Sequence, residues 1–128
     1  MKIEHVAINV EDPISTARWY CEHLGFTIKR ESKQAPFAHF VADDSGQMMI
    51  EIYGNREVPT PDYRSMNPME LHLALVSEDI EADCKRLEAA GAELIGDIHH
   101  MTTGDVMALL RDPWGFTLQL VKRVDPMI

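Results

Sequence analysis

Only two cysteines occur in the 128 residues, Cys21 and Cys84. They lie far apart, with no CxxC, which argues against a disulfide framework or a thiolate metal centre and leaves two ordinary reduced thiols inside helices. Basic residues are scarce too. Twelve Lys and Arg stand against twenty-one Asp and Glu, for a formal net charge of −9, and no Lys/Arg cluster is available to neutralise a row of phosphates. Nucleic acid and anionic membrane are therefore excluded as main partners, and acidity of this kind needs no meaning beyond solubility. No apolar run approaches the roughly 20 residues of a membrane span. The start, Met1 to His5, leads into a strand instead of a signal peptide, so a cytoplasmic location is expected. Glycine-rich phosphate loops, a Gly-x-Ser-x-Gly elbow and low-complexity stretches are all missing.

What is present is an internal repeat. His5-Val6-Ala7-Ile8-Asn9-Val10-Glu11-Asp12 returns as His72-Leu73-Ala74-Leu75-Val76-Ser77-Glu78-Asp79. The shift is constant, because 72 − 5 and 79 − 12 both equal 67. A second pair of segments closes each half: Met48-Met49-Ile50-Glu51-Ile52-Tyr53 and Phe116-Thr117-Leu118-Gln119-Leu120-Val121. Half a chain of this length would bury a marginal core, so the repeats are expected to combine into one unit, within a chain or across a dimer. The expected architecture is a single domain spanning residues 1–128, made of repeats 1–56 and 69–124.

Each repeat reads as βαβββ. A strand over 3–10 runs into Asp12-Pro13, an N-cap with proline at the first helical position, and the helix stops at Gly25, suited to a left-handed cap. Strands follow near 26–31, 37–42 and 47–53. Gly54 to Pro68, with Pro59, Pro61 and Pro68, is the expected linker. The second half has a strand at 70–76, a helix from about Asp79 to Ala90 with Ile80, Cys84 and Leu87 at helical spacing, and Gly91 as its stop. Strands near 93–96, 105–111 and 115–122 complete it, and His99-His100 fall in a loop on this reading. The fold class is α+β: two βαβββ modules whose curved mixed sheets form a concave cleft for a metal or ligand.

Four strands carry one polar, metal-competent side chain beside aliphatic neighbours: His5 before Val6, Glu51 between Ile50 and Ile52, His72 between Leu71 and Leu73, and Gln119 between Leu118 and Leu120. Strand side chains alternate between faces, so the aliphatic neighbours are expected in the core and the four polar residues on the opposite face. A carboxylate flanked by apolar residues costs several kcal/mol to bury, roughly, unless it is paired or bound to a cation. Two imidazole nitrogens, one carboxylate and one amide oxygen make a mixed N/O set suited to Zn²⁺, Ni²⁺, Co²⁺, Mn²⁺ or Fe²⁺. One carboxylate leaves such a site at a net charge of about +1, electrophilic and with positions open for water or substrate.

Three stretches carry a resemblance to a known superfamily: His5-x-Ala7-Ile8-x-Val10-x-Asp12 with Trp19-Tyr20 and Leu24-Gly25-Phe26; Glu70-Leu71-His72-Leu73-Ala74-Leu75; and Asp112-Pro113-Trp114-Gly115-Phe116-x-Leu118-Gln119-Leu120. Together they resemble the vicinal oxygen chelate superfamily of glyoxalase I, methylmalonyl-CoA epimerase, extradiol dioxygenases, fosfomycin-resistance transferases and bleomycin-binding proteins. The resemblance places metal ligands on the first, fourth, fifth and eighth strands, which here are His5, Glu51, His72 and Gln119. It also implies a homodimer, in which exposed sheet edges would be covered.

The resemblance implies a small-molecule substrate that chelates the cation through neighbouring oxygens and loses a proton from the adjacent carbon, with Glu51 as the catalytic carboxylate. Such a lyase or isomerase of glyoxalase I type acts on an α-hydroxycarbonyl or thiohemiacetal. Asn55, four residues after Glu51, matches a glutathione contact of that family, while Asn9 stands where bacterial members carry Arg; both are candidate substrate-binding residues. Gln119 departs from the glutamate usual at its position. An extradiol dioxygenase needs a carboxylate there. A non-catalytic protein that sequesters an antibiotic, of bleomycin-resistance type, is the alternative of a different class. Retention of His5, Glu51 and His72 argues against it, as does an aromatic content of 7%, low for a surface that stacks a flat cationic drug.

Overall fold

The structure, a computed structural model, describes residues 1–127. The chain divides into two compact units, Met1–Pro61 and Asp62–Ile128, so the division falls inside the proline-rich segment.

The first unit holds β1 (His5–Asn9), α1 (Pro13–Leu24), β2 (Thr27–Glu31), β3 (His39–Ala42) and β4 (Met49–Tyr53) in one four-stranded mixed sheet of order β1-β4-β3-β2. β1 runs parallel to β4, and the remaining pairs are antiparallel. The second unit holds β5 (Leu73–Val76), α2 (Ile80–Ala89), β6 (Glu93–His100), β7 (Val106–Arg111) and β8 (Thr117–Lys122), in the matching order β5-β8-β7-β6. The fold is α+β with two open mixed sheets, and the repeat in the sequence is a repeat of topology. Among the described residues no helix is long and apolar enough to cross a membrane.

The helices form where their caps require. The Asp12 carboxylate accepts from the Ser15 amide at 3.0 Å, and Pro13 opens α1, where a missing N–H costs nothing. Gly25 ends that helix at φ 74°, a left-handed conformation that glycine adopts without a Cβ penalty. Asp79 caps α2 in the same way through the Ala82 amide, and Ile80, Cys84 and Leu87 form its buried stripe. Cys21 and Cys84 are free thiols, and burial pushes both above the ordinary thiol range, which favours the protonated form.

Each helix packs mainly on three strands of its sheet, α1 on β2, β3 and β4, and α2 on β6, β7 and β8. This explains where strand alternation succeeds and where it fails. Ile50, Ile52, Leu118 and Leu120 are buried beneath the helices, with Glu51 and Gln119 on the other face. The neighbours of the two histidines are not in the core. Val6 and Leu71 are exposed, because they lie at the start of an edge strand or just ahead of one, beyond the helix's cover. The fifth strand is also shorter than expected, beginning at Leu73, so His72 sits one residue before it.

Two further corrections concern the second unit. His99 and His100 belong to β6, not to a loop; a register irregularity between Ile95 and His99 lets that strand run on to pair with Met107 and Val106. The stretch Asp62 to Pro68 is no free linker either. The Arg111 guanidinium donates to the carbonyls of Tyr63 and Met66, both at 2.7 Å, and to Gly115 at 2.8 Å, pinning the segment to the end of β7. Gly115, at φ 93°, lets the segment approach: a methyl group there would lie 2.7 Å from the Arg64 Cβ. The Asp112 carboxylate accepts from the Trp114 and Phe116 amides and fixes the same turn.

Candidate metal centre

Register places the candidate residues of the first unit. On β1, His5, Ala7 and Asn9 point to one face, and they stand opposite Met49, Glu51 and Tyr53 of β4. Phe40 of β3 lies on the other side of Glu51. This is the face away from α1. His39 pairs with Ile52 and so belongs to the helix-covered face, where its Nδ1 lies 2.6 Å from the Phe37 carbonyl oxygen and its Nε2 3.8 Å from Glu31; it is no part of the site.

His5 Nε2 and Glu51 Oε2 are 3.4 Å apart, with side chains 35% and 23% exposed. Glu51 therefore meets an imidazole directly. The other ring nitrogen of His5 is hydrogen-bonded to the Glu4 carboxylate. A carboxylate only accepts, so Nδ1 carries the proton, and Nε2 then faces Glu51 either as a second N–H or as a bare lone pair. Lone pair against carboxylate is repulsive, so a cation belongs in the gap, a proton or a metal ion. The Glu4 hydrogen bond raises the His5 imidazole above its ordinary value, opposed by desolvation and reinforced by the charges of Glu4 and Glu51. Phe40 packs edge-on against the His5 ring at 5.4 Å between centroids and restricts its orientation.

The second unit repeats the device with different parts. His72 Nδ1 donates to the Pro68 carbonyl at 2.9 Å, leaving Nε2 as a lone-pair donor. Asn67 holds the turn that presents that carbonyl: its side-chain oxygen accepts from Met69 and its own carbonyl from Glu70, both at 2.9 Å. Gln119 stands in register with Ala74 of β5 and Leu109 of β7. Its amide nitrogen is turned toward Met107 Sδ, 3.9 Å away, leaving Oε1 for another partner. Both residues are half-buried. Among the described residues no three His, Cys, Asp or Glu side chains group as a complete metal site. Each unit carries its own pair of donors, and the donor chemistry of each pair suits a divalent cation.

Asn9 and Asn55 are engaged with one another. The Asn9 amide donates to the Asn55 carbonyl at 3.1 Å and accepts from the Asn55 amide at 2.8 Å. Asn9 is buried, so it braces the end of β1 against the turn after β4, while the Asn55 side-chain oxygen accepts from the Glu57 amide at 2.9 Å. Residue pattern did not single out Glu4 or Pro68, which orient the two imidazoles. For Glu4 the available signal was a carboxylate adjacent to a candidate ligand; for Pro68 there was none.

Comparison with known proteins bears on the fold and the family. A protein of Synechocystis sp. named "Probable lactoylglutathione lyase" is 29% identical over an alignment that covers 95% of this chain and 95% of that protein. A glyoxalase family protein from Bacillus cereus has the same fold at a TM-score of 0.82 and 20% identity, over 98% of this chain and 95% of its own. An antibiotic binding protein from a Streptomyces species does so at 0.68 and 22%, over 94% and 93%. With the model of the Glyoxalase/Bleomycin resistance protein/Dioxygenase superfamily matching residues 2–120, nearly the whole of both repeats, the chain belongs to that superfamily.

Proposed function

We propose that the protein is a metal-dependent lyase or isomerase of glyoxalase I type, acting by proton transfer on a small α-hydroxycarbonyl or thiohemiacetal. The observation that carries this reading is the 3.4 Å approach of His5 Nε2 to Glu51 Oε2, with Nδ1 of the same ring held by Glu4. His5, Glu51, His72 and Gln119 would hold the cation. When bound, a divalent ion polarises the substrate's paired oxygens and stabilises the charge that develops as a proton leaves the neighbouring carbon. The chain's own residues do the rest. Glu4 and Pro68 fix both imidazoles with Nε2 outward, Phe40 restricts the His5 ring, and Gln119 offers an oxygen without adding a second negative charge. Glu51, accessible on the face away from the helix and the one carboxylate among the four, takes the proton from one carbon and returns it to the next.

The relative named lactoylglutathione lyase supports this class of reaction over others in the superfamily. Gln119→Glu tests it, since that substitution supplies the carboxylate usual at this position. If the wild type converts the hemithioacetal of methylglyoxal and glutathione, or another α-hydroxycarbonyl compound, Gln119→Glu should remain active in the same assay. A wild type and variant both inactive over a broad panel, with Ni²⁺, Co²⁺, Zn²⁺ and Mn²⁺ supplied, would leave ligand sequestration as the better reading. The fold shared with an antibiotic binding protein is the observation that favours that alternative.

We also propose a homodimer. β1 and β5 are each at one edge of their sheet, and Val6, Leu71 and Val76 are exposed there, Val76 by 76%. Light scattering at micromolar concentration should give about twice the chain mass of 14.5 kDa; a mass near 14.5 kDa would reject the dimer.

A further inference from the structure

Beside His5 the first unit has an open surface cavity of about 420 Å³ lined by Glu4, His5, Lys29, Arg30, Phe40 and Met49. Its two sides differ in chemistry. One is the His5 edge of the proposed cation site; the floor is apolar, made by Phe40 and Met49; the other side carries two adjacent cations from β2.

Neighbouring residues on a regular strand point to opposite faces, so Lys29 and Arg30 would not ordinarily share a cavity. Here the pairing of β2 with β3 slips between Ile28 and Arg30: Ile28 stands opposite Val41 and Arg30 opposite Phe40, leaving Lys29 as the extra residue. A bulge of this kind re-aims a side chain. A lysine on an edge strand ordinarily serves only to discourage pairing with another sheet, but that role asks for neither a bulge nor a second cation on the cavity side. Register then puts Arg30, Phe40 and Glu51 in one row across three strands, about 10 Å from first to last at the usual strand spacing.

The two cations are uncompensated. Among the described residues neither Lys29 nor Arg30 forms an ion pair, and the nearest carboxylate along the strand, Glu31, is directed to Lys33 and His39. Glu4, the acidic residue lining the cavity, is held by the His5 ring. In a chain with a net charge of −9, two unpaired cations sharing one cavity mark a local reversal of sign.

From this juxtaposition we infer that Lys29 and Arg30 form an anion subsite, and that the substrate taken at His5 and Glu51 carries a carboxylate or phosphate group separated from its reacting carbon by a short apolar span. The inference rests on the proposed function for what happens at His5, but the subsite itself is a property of β2. Arg30 supplies a planar fork for two oxygens and Lys29 a point charge.

Calorimetric titration of the metal-free protein with inorganic phosphate and, separately, with succinate tests the subsite without any reaction. The wild type should bind at least one of them, and the stronger of the two identifies the group. Lys29→Gln/Arg30→Gln should weaken that binding by about tenfold or more, and Arg30→Lys, which keeps the charge, should lose only part of it. Cation affinity, titrated in parallel, should be the same in wild type and double variant. A wild type that binds neither anion, or a double variant that binds as well as wild type, overturns the subsite. If anion binding depends on Lys29 and Arg30 but no divalent cation binds, the subsite stands and the proposed function falls; cation binding without anion binding gives the reverse.

Discussion

Glu51→Gln should lower turnover by about 10²–10⁴ while part of the cation affinity survives. The two effects separate because the substitution keeps an oxygen in the same place and removes the base. Glu51 lies 3.4 Å from His5 Nε2, on the face away from α1. An amide at that position presents an oxygen lone pair to a cation but cannot accept a proton from carbon at neutral pH. Steady-state kinetics with a saturating divalent ion, alongside a metal titration of the same preparation, measures both quantities. Turnover within a few-fold of wild type would remove Glu51 from the proton-transfer role and shift attention to a group on the second unit.

His5→Ala should act the other way, on the cation itself. A nitrogen donor disappears and Glu51 loses its partner, so affinity should fall by more than the roughly 10–100-fold that loss of an outer-shell partner costs. Turnover at very high metal concentration should partly recover, which the Glu51 variant cannot do. His72→Ala should behave alike, because its Nε2 is oriented by the Pro68 carbonyl as that of His5 is by Glu4. Unchanged cation affinity in both variants would mean that the two imidazoles are not ligands.

The parts of this architecture that are local in sequence were readable from it. Asp12-Pro13 and Gly25 bracket α1 because a cap, a fixed φ and a left-handed stop act within one helical turn. Glu51 and Gln119 fell on the predicted face because alternation holds wherever a helix covers the other face, as it does over β4 and β8. The same reasoning misplaced the neighbours of His5 and His72. Alternation states which face a side chain takes, not whether anything covers that face, and Val6 and Leu71 lie beyond the helices. Long-range partners were equally invisible. Asn9 reaches across 46 residues to the backbone of Asn55, and Arg111 reaches back to Tyr63 and Met66, turning an apparent linker into part of the second unit. The bulge that brings Lys29 and Arg30 to one cavity is a matter of pairing register, which no residue type announces.

The most direct test of the account is metal content and activity on one preparation: dialysis against chelator, reconstitution with Ni²⁺, Co²⁺, Zn²⁺ or Mn²⁺, and assay against the methylglyoxal–glutathione hemithioacetal together with anionic α-hydroxycarbonyl compounds. The account predicts that the dialysed protein is inactive, and that at least one ion binds stoichiometrically and restores proton-transfer turnover. A protein that takes up none of these ions and turns over none of these substrates would contradict it.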